Sequence, residues 1–296
     1  MTSTSNSPLP LLGKTALVTG VSRRKGIGFA VARRFAELGA HVFIQHFSSH
    51  DVSQPWGADD LDEVRAGIRV VQTDQARFDD ASIDLAGLDS AVETIRAACS
   101  LTGRVDILVC NHARSGGDGS IFDMSAEALD GHWQVNARST ILLTREFAKQ
   151  FAGGGENSPV SPGEHAPSTG PRDEFATGRV FWMTSGQLQG AMPGEVAYVA
   201  SKAALAGLTP TVASELLRQG IILNTINPGP VNTGYLDPET TDRPLAEIQE
   251  SVRNTPFGRF GEPTDPARLI GWLATDEGRW IVGQVLTTDG GFSLYS

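Results

Sequence analysis

The sequence predicts an α/β fold, a doubly wound sheet of about seven parallel strands flanked by helices. Short runs rich in Val, Ile and Leu alternate with longer stretches of helical period along the 296-residue chain. Those runs are continuously apolar, as expected of strands covered on both faces. A glycine-rich turn, TGVSRRKGIG at residues 19–28, separates the first run from the first helical pattern.

Strands are expected at 14–19 (KTALVT), 41–46 (HVFIQH), 68–73 (IRVVQT), 105–110 (VDILVC), 179–184 (RVFWMT), 221–227 (IILNTIN) and 284–288 (QVLTT). Helices are expected at 26–38, 85–100, 126–151, 196–219 and 264–274. Right-handed crossovers would join them. Two segments break the rhythm. Residues 48–61, with a Pro and a Gly, read as a loop before a weak helix. Residues 152–177, rich in Gly, Pro and Ser, read as a mobile surface insertion. The expected organisation is a flexible tail over 1–10 and one domain over 11–296, with a substrate lid at 231–261.

A formal net charge of −10 argues against broad nucleic-acid binding, which needs a basic footprint. It leaves room for a small anionic ligand held by local charge. Two cysteines are too few for a disulfide framework, and Cys110, ending an apolar run, reads as a buried hydrophobe. The N-terminus lacks a basic start and apolar core, and no apolar run approaches the ~20 residues that span a bilayer. A cytoplasmic protein with no membrane or nucleic-acid partner is the expectation.

The glycine loop follows a strand and opens a helix, which places backbone N–H groups and a positive dipole end where a pyrophosphate can sit. Gly20, Ser22, Arg23, Arg24, Gly26, Ile27 and Gly28 are its candidate cofactor contacts. Tyr198 and Lys202, four residues apart, share one helix face. Ser185 follows the fifth strand, at the carboxyl edge where ligands bind in open α/β sheets. Asn111, His112 and Ala113 end the fourth strand. Asn136 lies within a helical pattern that Asn disfavours. Pro228, Gly229, Val231 and Thr233 follow the sixth strand. His46 and His50 lack a third ligand at a recognisable spacing, so no metal site is assigned.

In their order along the chain, TG…GIG, Asp74, NHA, Asn136, Ser185, YxxxK, PG…T and the terminal DGG at 289–291 resemble the short-chain dehydrogenase/reductase family, in its single-domain, 3-oxoacyl-[acyl-carrier-protein] reductase-like form. The resemblance runs from about residue 13 to 292 and implies a Rossmann-type fold. It implies an Asn136-Ser185-Tyr198-Lys202 tetrad. There Tyr198 exchanges the proton, Lys202 tunes it and holds the nicotinamide ribose, Ser185 holds the substrate oxygen, and Asn136 orders a relay water. It implies cofactor contacts at His46, Asp74, Asn111, His112, Ala113, Tyr198 and Lys202, a ketone or secondary-alcohol substrate, and a homotetramer. The family usually reads NNAG where this chain reads NHAR.

NADP(H) is expected over NAD(H). No acid occupies residues 45–47, where one would accept hydrogen bonds from an NAD ribose, and the loop carries three consecutive cations, Arg23, Arg24 and Lys25. The reaction class is an oxidoreductase interconverting a ketone and an alcohol, a ketoreductase of thioester or biosynthetic-tailoring type. A sugar or polyol dehydrogenase, or a non-catalytic dinucleotide-binding sensor, are the alternatives.

Overall fold

The computed structural model describes residues 9–152, 178–241 and 245–294. Strands run Thr15–Thr19 (β1), His41–His46 (β2), Phe78–Ser82 (β3), Ile107–Cys110 (β4), Gly178–Met183 (β5), Ile221–Asn227 (β6) and Val285–Thr287 (β7). They form one seven-stranded sheet in the order β3-β2-β1-β4-β5-β6-β7, with every pairing parallel. The chain changes winding direction between β1 and β4. The loops leaving those two strands therefore diverge and open a crevice at the carboxyl edge of the sheet.

Helices cover both faces. Ile27–Glu37 (α1), Leu61–Arg69 (α3) and Thr264–Leu273 (α8) close one face. Ser90–Thr102 (α4), Ser139–Ala152 (α6) and Val196–Leu217 (α7) close the other. Side-chain alternation divides β1 between two cores, with Ala16 and Val18 in one and Leu17 in the other. Cys110 is buried in the second core, as expected, and burial pushes its thiol far above the ordinary range.

Three expectations are corrected. The run 68–73 is not a strand. Val64 and Ile68, one helical turn apart, are both buried, and the Asp60 side chain caps the helix by accepting from the Asp62 N–H, so α3 extends to Arg69. The third strand lies later, in the polar stretch FDDAS, which is tolerated because β3 is an edge strand. Residues 48–61 contain a short helix, Ser48–Val52 (α2). The single helix expected at 126–151 divides into Ala126–His132 (α5), a π-helical turn at Trp133–Arg138, and α6.

Among the described residues, α7 is long and apolar enough to cross a membrane by length and composition, against the expectation that no such run exists. Here it packs on β5 and β6 and buries Lys202. The expected tail lies mostly outside the described residues, but Leu11 already bonds Leu38 (N–H to O, 2.9 Å). Residues 153–177 of the insertion and 242–244 of the lid also lie outside the described residues.

Candidate active site

The crevice is built around glycine. Gly20 leaves β1 with φ +70°, and a Cβ there would lie 2.7 Å from the His112 Cα. A Cβ on Gly28 would meet the Asn111 Nδ2 at 2.6 Å and the Gly20 carbonyl at 2.9 Å. The loops after β1 and β4 thus pack backbone to backbone. Asn111 clamps them, its Nδ2 donating to the carbonyls of Thr19 (3.1 Å) and Gly20 (3.2 Å). Gly26 is the N-cap of α1, with no side-chain cap and no acid in the first turn, so the helix presents its N–H groups and positive end to an anion. Gln45, at the end of β2, accepts from the Gly20 N–H at 3.0 Å and donates to the Ile83 carbonyl at 2.7 Å. It joins the glycine loop to the end of β3.

The loop cations are not free. Arg23 pairs with Asp51 (3.2 Å), donates to the Thr233 carbonyl (2.6 Å), and stacks 5.6 Å from the Trp56 ring centre. Ser22 also donates to Asp51. Arg24 pairs with Asp59 (3.2 Å) and Glu63 (2.7 Å), and Lys25 pairs with Asp237. A phosphate would therefore displace a carboxylate to reach any of them. Each already holds an acid, supplied by the 48–63 segment or by the chain after β6.

Three other candidates are displaced. Asp74 lies in the turn before β3, at the amino edge of the sheet, because the strand it was expected to follow is helix. Asp84, two residues beyond β3, stands at the carboxyl edge instead. His46 turns its buried ring to Asp80 (3.0 Å), a carboxylate that the Arg65 fork holds below the usual range. His112 is buried between the hydroxyls of Thr19 and Ser139, 2.6 Å from each, and burial pushes it down to about 3. Its ring is a neutral structural link, leaving only the backbone at 111–113 to face a cofactor.

The tetrad residues converge on α7. Ser185 stands just past β5, in extended backbone at the head of a short helical turn. Lys202 reaches back to the same strand end, its Nζ donating to the Met183 carbonyl at 3.0 Å. The Thr184 hydroxyl donates to the Lys202 carbonyl at 3.1 Å, so strand end and helix turn are doubly tied. The Lys202 ammonium lies 5.6 Å from the Tyr198 ring centre, and burial pushes it down to about 8. Asn136 sits in the π-helical turn, a distortion that aims it out of the ordinary helical register. Its Oδ1 accepts from the Arg114 N–H at 2.6 Å, and its Nδ2 donates to the Arg114 carbonyl (3.2 Å) and the Ser201 hydroxyl (3.0 Å). Both Nδ2 protons are thereby used in bracing the β4 loop against α7.

Gly229 bends the chain after β6 with φ +68°. A Cβ there would lie 2.5 Å from that of Asp289, so PG and the terminal DGG are packed together. Val231 bridges to Gly261.

A family model described as Enoyl-(Acyl carrier protein) reductase matches residues 20–160 and 170–293. The oxidoreductase YjdA of Bacillus subtilis is 34% identical over 281 residues, 94% of this chain and 96% of that protein. The solved structure of a short-chain dehydrogenase/reductase from Serratia marcescens superposes with a TM-score of 0.73 at 27% identity, covering 96% of this chain and 99% of that one. The chain belongs to the short-chain dehydrogenase/reductase family. Two further relatives bear on the cofactor. A chloroplastic NADPH-dependent aldehyde reductase-like protein of Arabidopsis thaliana is 32% identical over 98% of both chains. The angucycline C-6 ketoreductase LanV, solved with bound NADP, has a TM-score of 0.73 at 26% identity, over 96% of this chain and 97% of that one.

This short-chain dehydrogenase/reductase is therefore an oxidoreductase acting on CH–OH groups. The family's nicotinamide dinucleotide fits the donor set, since the glycine cradle leaves no room for a Cβ and the α1 terminus is uncapped. Gln45, Asp51 and Asp118 contact the candidate residues Gly20, Ser22, Arg23 and Tyr198, and none of the three belongs to a motif. Gln45 and Asp118 act through backbone groups, which leave no sequence pattern. Asp51 lies in α2, beyond the end of β2, and reaches the glycine loop only through the fold.

Proposed function

We propose that this protein is an NADP(H)-dependent ketoreductase in which Tyr198 gives its proton to the carbonyl oxygen of the substrate. The observation that carries this is Lys202, a buried ammonium 5.6 Å from the Tyr198 ring, fixed to the strand end that presents Ser185. Bound cofactor supplies hydride to the carbonyl carbon, or accepts it in the reverse direction. Tyr198 moves the proton. A cation beside a phenol favours its ionised form and so eases that transfer. Ser185 donates to the same oxygen as charge develops on it. Asn136 holds the β4 loop and the tyrosine helix in register.

The preference for NADP(H) rests on the lack of an acid at residues 45–47, on the cations of the loop, and on the NADPH-dependent relative and NADP-bound structural neighbour. Arg24, half exposed and held by half-buried Asp59 and exposed Glu63, is the cation best placed to exchange Asp59 for a 2′-phosphate. The candidate contacts to the rest of the cofactor are Gly20, Ile27, the backbone at 111–113, Lys202 and the 228–233 turn.

The substrate side favours a bulky apolar ketone of the biosynthetic-tailoring kind. The loops beside Ser185 and the start of α7 expose Phe122 (95%), Ile121 (67%) and Leu188 (58%). Arg259 of the lid is already engaged by Asp265 at 2.9 Å, which weakens the case for a phosphate-bearing thioester. A homotetramer completes the proposal by family resemblance, and light scattering tests it against a single 31.5 kDa chain. The deciding experiment follows NADPH oxidation with polycyclic and cyclic ketones, 3-oxoacyl thioesters and keto-sugars. Turnover of the apolar ketones supports this reading. Turnover confined to thioesters or sugars, or an NADH preference, refutes the corresponding part.

A further inference from the structure

We propose that Asp118, in the loop after β4, is a positioning residue that fixes Tyr198 by capping the first turn of α7 from outside the helix. This rests on the reading of Tyr198 as the proton donor.

An α-helix begins with N–H groups that its own turns cannot satisfy. In α7 the N-cap residue, Glu195, makes no side-chain capping bond. The next three N–H groups are instead taken by residues 118 and 119. Val196 donates to the Gly119 carbonyl (3.3 Å), Ala197 to Asp118 Oδ1 (3.0 Å) and Tyr198 to Asp118 Oδ2 (2.7 Å). One carboxylate thus holds the backbone of Tyr198 directly, and its charge faces the positive end of the helix dipole. The Asp118 side chain is only 8% exposed, so water is a poor substitute.

The sequence builds this approach deliberately. Gly116 and Gly117 have φ +77° and +63°, a left-handed pair that returns the chain toward α7 just before Asp118. His132 completes the seat. Its buried Nδ1 lies 2.9 Å from the Ala128 carbonyl and must donate there, which turns Nε2 toward Asp118 Oδ2 at 4.0 Å. The same ring meets Tyr198 edge-on, with centroids 6.5 Å apart at 86°. The backbone of Tyr198 is therefore held by Asp118 and its ring packs against His132, while Lys202 governs its proton.

A residue acting only through Tyr198 should matter only when the phenol is present. The test is a double-mutant cycle of Asp118→Ala with Tyr198→Phe, read as kcat and as KM for NADPH. Asp118→Ala is expected to lower kcat about tenfold with the cofactor KM within about twofold, since small misplacements of a reacting group are costly. Asp118→Asn, which keeps an accepting oxygen, is expected to recover part of that loss. The double variant is expected to be no slower than Tyr198→Phe alone. Unchanged kcat in folded Asp118→Ala, losses that multiply in the double variant, or a kcat loss matched by cofactor KM overturns the role of Asp118 and leaves that of Tyr198 standing. Full turnover in Tyr198→Phe overturns both.

Discussion

Lys202 costs this protein stability, and the cost is measurable. The residue is 2% exposed, and burial pushes its ammonium from 10.5 down to about 8. At about 1.4 kcal/mol per unit, the folded state carries a penalty of about 3 kcal/mol for holding that ammonium at neutral pH. Below pH 8 both folded and unfolded chains bind the proton, so the penalty is complete. Between 8 and 10.5 the unfolded chain keeps the proton while the folded one releases it, so this contribution to stability rises with pH. Lys202→Met removes the charge at similar length and strands the Met183 carbonyl, which takes back about 1 kcal/mol. The variant is expected to gain about 2 kcal/mol at pH 7, and that gain is expected to shrink to near zero by pH 10, while turnover is lost. Urea unfolding of the cofactor-free protein at both pH values is the assay. A less stable variant at pH 7, or a difference that does not change with pH, would refute the argument.

Two further substitutions probe the cofactor side. Gly28→Ala places a methyl within 2.9 Å of the Gly20 carbonyl, a backbone atom that cannot step aside cheaply, so NADPH affinity by calorimetry is expected to fall at least about tenfold with the far-UV spectrum unchanged. Asp51→Asn releases Arg23 and Ser22 from their carboxylate, and the NADPH-to-NADH ratio of kcat/KM is expected to rise about three- to tenfold. A ratio that stays put shows that Asp51 does not compete with a 2′-phosphate.

Most of the sheet was legible because buried parallel strands concentrate branched apolar residues, and six of the expected runs contain or overlap strands. The exception has a physical cause. At 68–73 the branched residues looked like a strand, but burial follows the helical spacing of Val64 and Ile68, while Val70 is 75% exposed. The true edge strand, FDDAS, reads as polar because one of its acids serves Arg65 and His46. The misplacement of Asp74 follows from that single error.

The placement of the candidate tetrad was legible in part, because Tyr198 and Lys202 share one turn of α7 and Ser185 follows β5, as their spacing implies. What surrounds them was not. The acids that neutralise Arg23, Arg24 and Lys25 come from 28 to 212 residues away in sequence, and nothing local announces them. The π-helical turn at Asn136 and the cap from Asp118 are likewise products of tertiary contact. His46 and His112 illustrate the converse, since each occupies a motif position while burial turns its ring away from the crevice.

Whether Tyr198 delivers the proton is decided by single-turnover hydride transfer in Tyr198→Phe with NADPH prebound. The expected rate is at least about 100-fold below wild type, the usual contribution of a positioned acid, with NADPH affinity unchanged. A wild-type rate in that variant would contradict it.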